Sequence, residues 1–138
     1  MVCRTANYIA AARAVETERE GGIINDPWAR PFAGPEGFEM LRHFAKYRLS
    51  TTFCRNEPPE DMTVMITAIR TKFIDHNILS SMENNAHISQ IVILGCGYDT
   101  RSCRLDWPRP TIVYEVDLPE VINRRTEILG TNFNPLVS

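Results

Sequence analysis

The order of apolar and polar positions divides the chain in two. Through the first ~85 residues the apolar positions recur with a helical period, and after that they gather into short continuous runs. Tyr8, Ile9, Ala12 and Val15 share one face of an alanine-rich stretch, which predicts a short amphipathic helix ending at Gly21-Gly22. Asp26-Pro27 sets an N-cap acid before a proline at the first helical position, and Trp28, Ala29 and Phe32 follow before Gly34, so a helical turn with a buried aromatic face is expected there. Gly34-Pro35 opens a further helix carrying Phe38, Leu41, Phe44 and Ala45, followed by a less regular stretch that Pro58-Pro59 closes. Met62, Met65, Ile66, Ile69, Phe73 and Ile78 then make the longest helical pattern, running to Asn84-Asn85. The Met and Phe stripe of that helix reads as core packing.

Gln90-Ile91-Val92-Ile93-Leu94 breaks the helical period and predicts a short strand buried on both faces. A glycine turn follows it. Thr111 to Val116 predicts a second strand, and Leu118 to Leu129 a helix with Pro119 near its start and Val121, Ile122, Ile128 and Leu129 on one face. The expected class is therefore α/β. A helical N-terminal cap region, 1–86, precedes the first β-α-β-α part of a doubly wound sheet in 87–138. No internal repeat or low-complexity segment interrupts this order.

Composition narrows the range of functions. The chain has 138 residues, 43% of them apolar, enough for one ordinary core. A net charge of -2 with interspersed signs provides no basic field, which argues against nucleic acid as an electrostatically held partner. Cys3, Cys54, Cys96 and Cys103 are scattered, with no C-x-x-C pair and no histidine at ligand spacing, so reduced thiols are expected rather than a metal site or a disulfide framework. With no secretory h-region and no stretch of membrane-spanning length, a cytoplasmic protein without membrane association is expected.

The candidate chemistry sits at the two strand ends. Gly95-Cys96-Gly97 directly follows the first strand, where absent side chains let backbone N–H groups approach a ligand. A lone G-x-G also serves ordinary turns. Asp117 ends the second strand near the ~20-residue offset at which an acid reaches the ribose hydroxyls of an adenosine cofactor. It is equally placed to cap the helix beginning at Leu118-Pro119. Where a dinucleotide fingerprint wants a third glycine the chain has Thr100, and Asp99 before it would repel a pyrophosphate. S-adenosylmethionine (SAM) carries a sulfonium and a zwitterionic amino-acid part instead of phosphates, so these residues favour it over NAD. Arg70, on the long helix, could fork onto a carboxylate at the glycine turn, although spacing alone favours a surface arginine paired with an acid. Asp75-His76 reads as two solvated polar positions, because adjacent helical residues point in different directions.

Leu94-Gly95-Cys96-Gly97-Tyr98-Asp99-Thr100-Arg101, then Arg104-Leu105, then Tyr114-Glu115-Val116-Asp117-Leu118-Pro119, resembles the leucine carboxyl methyltransferase family. Ala12-Arg13-Ala14-Val15-Glu16 and Ile24-Asn25-Asp26-Pro27-Trp28-Ala29 are similar to its bacterial SAM-dependent branch. The resemblance runs over nearly the whole chain in one order. It implies SAM as methyl donor, Arg70 at the methionine carboxylate, Gly95 beneath the cofactor and Asp117 at the ribose. Gly97, Asp99 and Thr100 are implied to shape the pocket through backbone and supporting contacts, and Arg13 matches loosely a basic residue reaching the cofactor carboxylate.

The same resemblance implies a longer protein, of which this chain is the N-terminal half. A two-strand parallel unit cannot cover both sheet faces, so dependence on a complementary chain is one expectation. The acceptor implied is a carboxylate or hydroxyl on a small molecule or a carboxyl terminus. An inactive fragment and an NAD(P)-binding oxidoreductase fragment remain the alternatives.

Overall fold

A computed structural model describes residues 4–48 and 59–130 of the chain. Three helices come first: α1 (Arg4–Glu18), α2 (Ala29–Arg48) and α3 (Pro59–Asn84). They are followed by β1 (Gln90–Leu94), α4 (Arg101–Arg104), β2 (Ile112–Val116) and α5 (Pro119–Leu129). The class is α/β, a helical segment followed by the β-α-β-α opening of a Rossmann-like sheet. The less regular stretch expected before Pro58-Pro59 lies outside the described residues, as do Cys3 and Cys54. Among the described residues no helix is long and apolar enough to cross a membrane.

Helix α1 departs from the short amphipathic helix expected of it. Ala10, Ala11, Ala12, Arg13 and Ala14 are all buried, so the helix is enclosed around most of its circumference. Alanine makes this possible, since a methyl group lets neighbouring backbones close in from several directions. α2 comes close at Gly37, where a Cβ would lie 2.4 Å from the Asn7 carbonyl oxygen. Asn7 Nδ2 in turn donates to the carbonyls of Phe32 and Ala33, at 3.0 and 3.1 Å, where α2 bends. The bend is at Gly34, whose φ of 57° is open to glycine and strained for other residues, and Pro35 then restarts the helix as the Gly-Pro pair predicts. Phe32 is fully buried and its ring lies 5.0 Å from that of Tyr98, which joins the helical region to the turn after β1.

Helix α3 reverses the expected assignment of its faces. In its first half Thr63, Val64, Thr67, Ala68 and Thr71 are buried, at four-residue spacing, and Met82 is buried near its end, while Met65, Ile66, Ile69 and Phe73 are 52%, 53%, 53% and 65% exposed. The small face fits closely against α1 and α2. The large apolar face has no covering element among the described residues, so the Met and Phe stripe is surface rather than core.

The sheet shows the same asymmetry. β1 and β2 pair in parallel, Gln90 with Ile112 through Leu94 with Val116. Ile91, Ile93, Val113 and Glu115 are half-buried, and Ser102 of α4 and Arg125 of α5 both reach Glu115, marking this as the helix-covered face. On the other face Val92 and Leu94 are 57% and 76% exposed. The strand is therefore half-buried on one face, contrary to the two-sided burial its apolar run predicts: parallel sheets need helices on both sides, and among the described residues only one side has them. The sheet is incomplete.

Candidate functional site

The turn that leaves β1 is built from two left-handed glycines. Gly95 and Gly97 have φ of 61° and 51°, a region that side chains strongly disfavour. A Cβ on Gly95 would meet nothing within 4 Å, so the backbone at that point is open to a ligand. Cys96 N–H donates to the Val116 carbonyl at 3.1 Å, which ties the turn to the end of β2. Asp117 follows directly, and its Oδ2 accepts the Gly97 N–H at 2.7 Å while Oδ1 accepts the Leu118 N–H at 2.7 Å. The glycine turn and the strand-end acid are thus in direct contact, and Asp117 also braces the entry to α5, where Pro119 is the first helical residue.

These groups border a cleft of about 400 Å³. Gly95, Cys96, Gly97, Tyr98, Asp99 and Asp117 line its base, Val121 of α5 adds to it, and Thr5, Ala6, Ile9 and Arg13 of α1 form a wall. Arg70 of α3 lines it too, exposed and without an ion pair among the described residues, unlike the paired surface arginine that spacing alone allows. Arg70 and Arg13 bring positive charge to one cleft with the carboxylates of Asp99 and Asp117, a donor and acceptor set that suits a zwitterionic ligand. Burial pushes the Cys96 thiol up to about 11, opposed by the positive charge of Arg125 and reinforced by Glu115, Asp117 and Asp99. A neutral thiol therefore lines this cleft at neutral pH. Among the described residues no group of three or more His, Cys, Asp or Glu is placed to hold a metal ion.

Of the residues singled out by sequence, Arg70, Gly95, Gly97, Asp99 and Asp117 come together at this cleft, and Thr100 does not line it. Thr100 is buried behind the turn, where its hydroxyl donates to Asp26 Oδ2 at 2.7 Å and accepts from Arg104 Nε at 3.0 Å. Asp99 is held by its own neighbour, accepting from the Arg101 backbone N–H at 2.9 Å and from the Arg101 guanidinium. Arg13 gives Nε to Asp26 at 2.7 Å and Nη2 to the Tyr98 carbonyl at 2.6 Å, so much of its guanidinium is spent inside the protein.

Behind the turn lies a buried ionic network larger than its spacing suggests. Asp26, whose side chain is fully buried, does more than cap: Oδ1 accepts the Trp28 N–H at 3.2 Å while Oδ2 takes Arg13 and Thr100. Asp75 is not a solvated position but accepts from Arg101 Nε at 2.6 Å and Arg104 Nη1 at 2.7 Å, locking α4 to α3. His76 beside it is exposed. Arg125, only 2% exposed, reaches the carbonyls of Gly97 and Asp99 at 3.0 and 2.5 Å and pairs with Glu115. Its sequence signal is a cation four residues after Val121 and three before Ile128, on the apolar face of α5.

Comparison with known proteins places this arrangement. The profile described as leucine carboxyl methyltransferase matches residues 6–136. A Mycobacterium ulcerans (strain Agy99) protein named "Putative S-adenosyl-L-methionine-dependent methyltransferase" is 36% identical over 131 residues, covering 91% of this chain and 40% of the relative. Proteins of the same name are 39% identical over 128 residues in Mycobacterium sp. (strain KMS) and 36% in Mycobacterium tuberculosis (strain ATCC 25177 / H37Ra), covering 91% of this chain and 41% and 42% of the relatives. The chain thus spans about two fifths of the length of these relatives. With the family profile matching nearly its entire length, the chain belongs to the leucine carboxyl methyltransferase family.

Proposed function

We propose that the cleft holds SAM and that the chain contributes the cofactor half of a cytoplasmic methyltransferase acting on a carboxylate or hydroxyl oxygen of a small molecule or a carboxyl terminus. The observation that carries this reading is the Gly97 N–H to Asp117 Oδ2 contact at 2.7 Å on the floor of a cleft that Arg70 also lines. A carboxylate offers about four acceptor positions. Gly97 and Leu118 use two, which leaves one on each oxygen for a pair of vicinal ribose hydroxyls. Arg70 supplies a planar fork for the amino-acid carboxylate, and Gly95 lets the ligand lie against bare backbone. Asp99, on the cleft base, and Thr100, buried behind it, hold the turn through Arg101 and Asp26.

Bound SAM would supply an electrophilic methyl group. The residues of this chain bind and orient it, and the apolar wall of Ala6 and Ile9 excludes water from one side of the cleft. A carboxylate acceptor needs no base from the protein, since it is already ionised at neutral pH. We assign 1–86 as the helical cap region and 87–138 as the start of the cofactor domain.

Calorimetric titration with SAM tests the reading. Binding to the natural chain is expected to weaken by about two orders of magnitude in Asp117→Ala, since hydrogen bonds to a charged group each contribute substantially. Equal affinity in both proteins refutes the ribose contact, and heat with NAD but none with SAM selects the oxidoreductase alternative.

A second reading is favoured by the bare sheet face, with Val92 and Leu94 at 57% and 76% exposure: the chain works only with a complementary polypeptide. Methyl transfer by the chain alone argues against it.

A further inference from the structure

We infer that Arg125 is a positioning residue for the cofactor cleft, one that sets the glycine turn from behind so that Gly97 meets Asp117; this rests on the nucleoside-binding reading above. Three consecutive carbonyls of the turn are gripped by buried guanidinium groups from two helices. Arg125 of α5 takes Gly97 and Asp99, and Arg13 of α1 takes Tyr98 between them. Arg125 also pairs with Glu115 on the covered face of β2, and its guanidinium carbon stands 5.4 Å from the Phe32 ring centre. The turn is thereby held twice from this side, by Asp117 just before α5 and, the equivalent of a little over two helical turns later, by Arg125 within it.

Packing alone does not account for this arginine. It sits on the apolar face of α5 between Val121 and Ile128, a place that an aliphatic side chain would fill without desolvating a charge. Its Nε is buried without a hydrogen-bond partner, so the site accepts an imperfectly satisfied cation. What the cation provides and an aliphatic group cannot is a planar group whose Nη1 donates to both carbonyls while Nη2 is anchored on Glu115. Those carbonyls belong to the first and third peptide units after the one that presents the Gly97 N–H to the acid. Freed from Arg125, the two left-handed glycines would let the turn rotate away from Asp117.

The test uses the full chain with Arg125→Lys, the paired Arg125→Met/Glu115→Gln, which removes both charges together, and Met82→Ala, a core truncation at a fully buried residue that does not line the cleft. Titration with SAM and with 5′-methylthioadenosine, which lacks the amino-acid end, is combined with amide exchange at Gly97. Both Arg125 variants should bind the two nucleosides more weakly by the same factor, about tenfold or more, the scale of a lost charged hydrogen bond. Gly97 exchange should rise about as much without ligand, whereas amides within α1 should not follow. Met82→Ala should lower the melting temperature and leave affinity and Gly97 exchange unchanged. Unchanged affinity in the Arg125 variants, or an equal loss in Met82→Ala, overturns the proposal while leaving the nucleoside reading intact. Absence of nucleoside binding by the natural chain refutes that reading, and the proposal with it. Should the double variant fail to fold, Arg125→Lys retains the charge but has one nitrogen in place of the two that bond the carbonyls and Glu115, and decides the matter by the same measurements.

Discussion

The turn after β1 and the far face of the same two strands are held in opposite ways. Behind the turn, Asp26, Asp75, Asp99 and Glu115 are each paired with arginines drawn from α1, α4 and α5, and most of these side chains are well buried. Across the sheet, Val92, Leu94 and Val116 face solvent, and the Met65-Phe73 stripe of α3 is equally bare. The difference is between two kinds of force. Charge-assisted hydrogen bonds are directional and fix a local shape with few atoms, whereas apolar burial needs area from a second element and specifies nothing until that element is present. The cleft side of this chain is accordingly organised from within, and its other side is bare among the described residues.

The contrast can be broken at its strongest point. Asp26→Ala strands Arg13 and removes partners of Thr100 and Arg104, and should cost about 3–5 kcal/mol, the range for breaking a buried pair on one side. Urea denaturation measures it, and a loss below about 1 kcal/mol would mean that the network is not what holds the turn. Next in size is Gly37→Ala, whose new methyl meets the Asn7 carbonyl where 2.4 Å is available, forcing α1 and α2 apart at about 1–3 kcal/mol, read as a lowered melting temperature.

A smaller effect follows pH. Because burial raises the Cys96 thiol from 9.0 to about 11, the folded state holds a proton that the unfolded chain releases earlier. Stability from this group is complete below pH 9 and is lost as pH climbs toward 11. Denaturation midpoints across that window should fall less steeply in Cys96→Ala than in the natural chain. The smallest change in folding stability is expected on the bare face: Leu94→Lys should alter it by no more than about 0.5 kcal/mol, yet reduce self-association seen by light scattering. A large destabilisation there would show that the face is covered after all.

Much of this was legible in order along the chain. The run Gln90–Leu94 is the strand observed, and Pro119 opens α5 where the sequence has it. Gly34-Pro35 marks the bend in α2. Legibility failed where a residue's meaning depended on what packs against it. The apolar side of α3 is not its packed side: Met65, Ile66, Ile69 and Phe73 fit a core stripe by composition, while the threonine and alanine side fits the close approach of α1 and α2. Asp75 read as solvated because its partners, Arg101 and Arg104, lie more than twenty residues further on.

By itself the sequence determined the local events: where helices start and stop, which runs become strands, and that a glycine pair and an acid stand at neighbouring strand ends. Those follow from backbone sterics and side-chain periodicity, which act over a few residues. Tertiary structure alone decided which arginine answers which carboxylate, that Arg125 faces the turn and that one sheet surface is left open by the described residues. Such outcomes depend on distances between segments far apart in the chain, and no short-range rule encodes them.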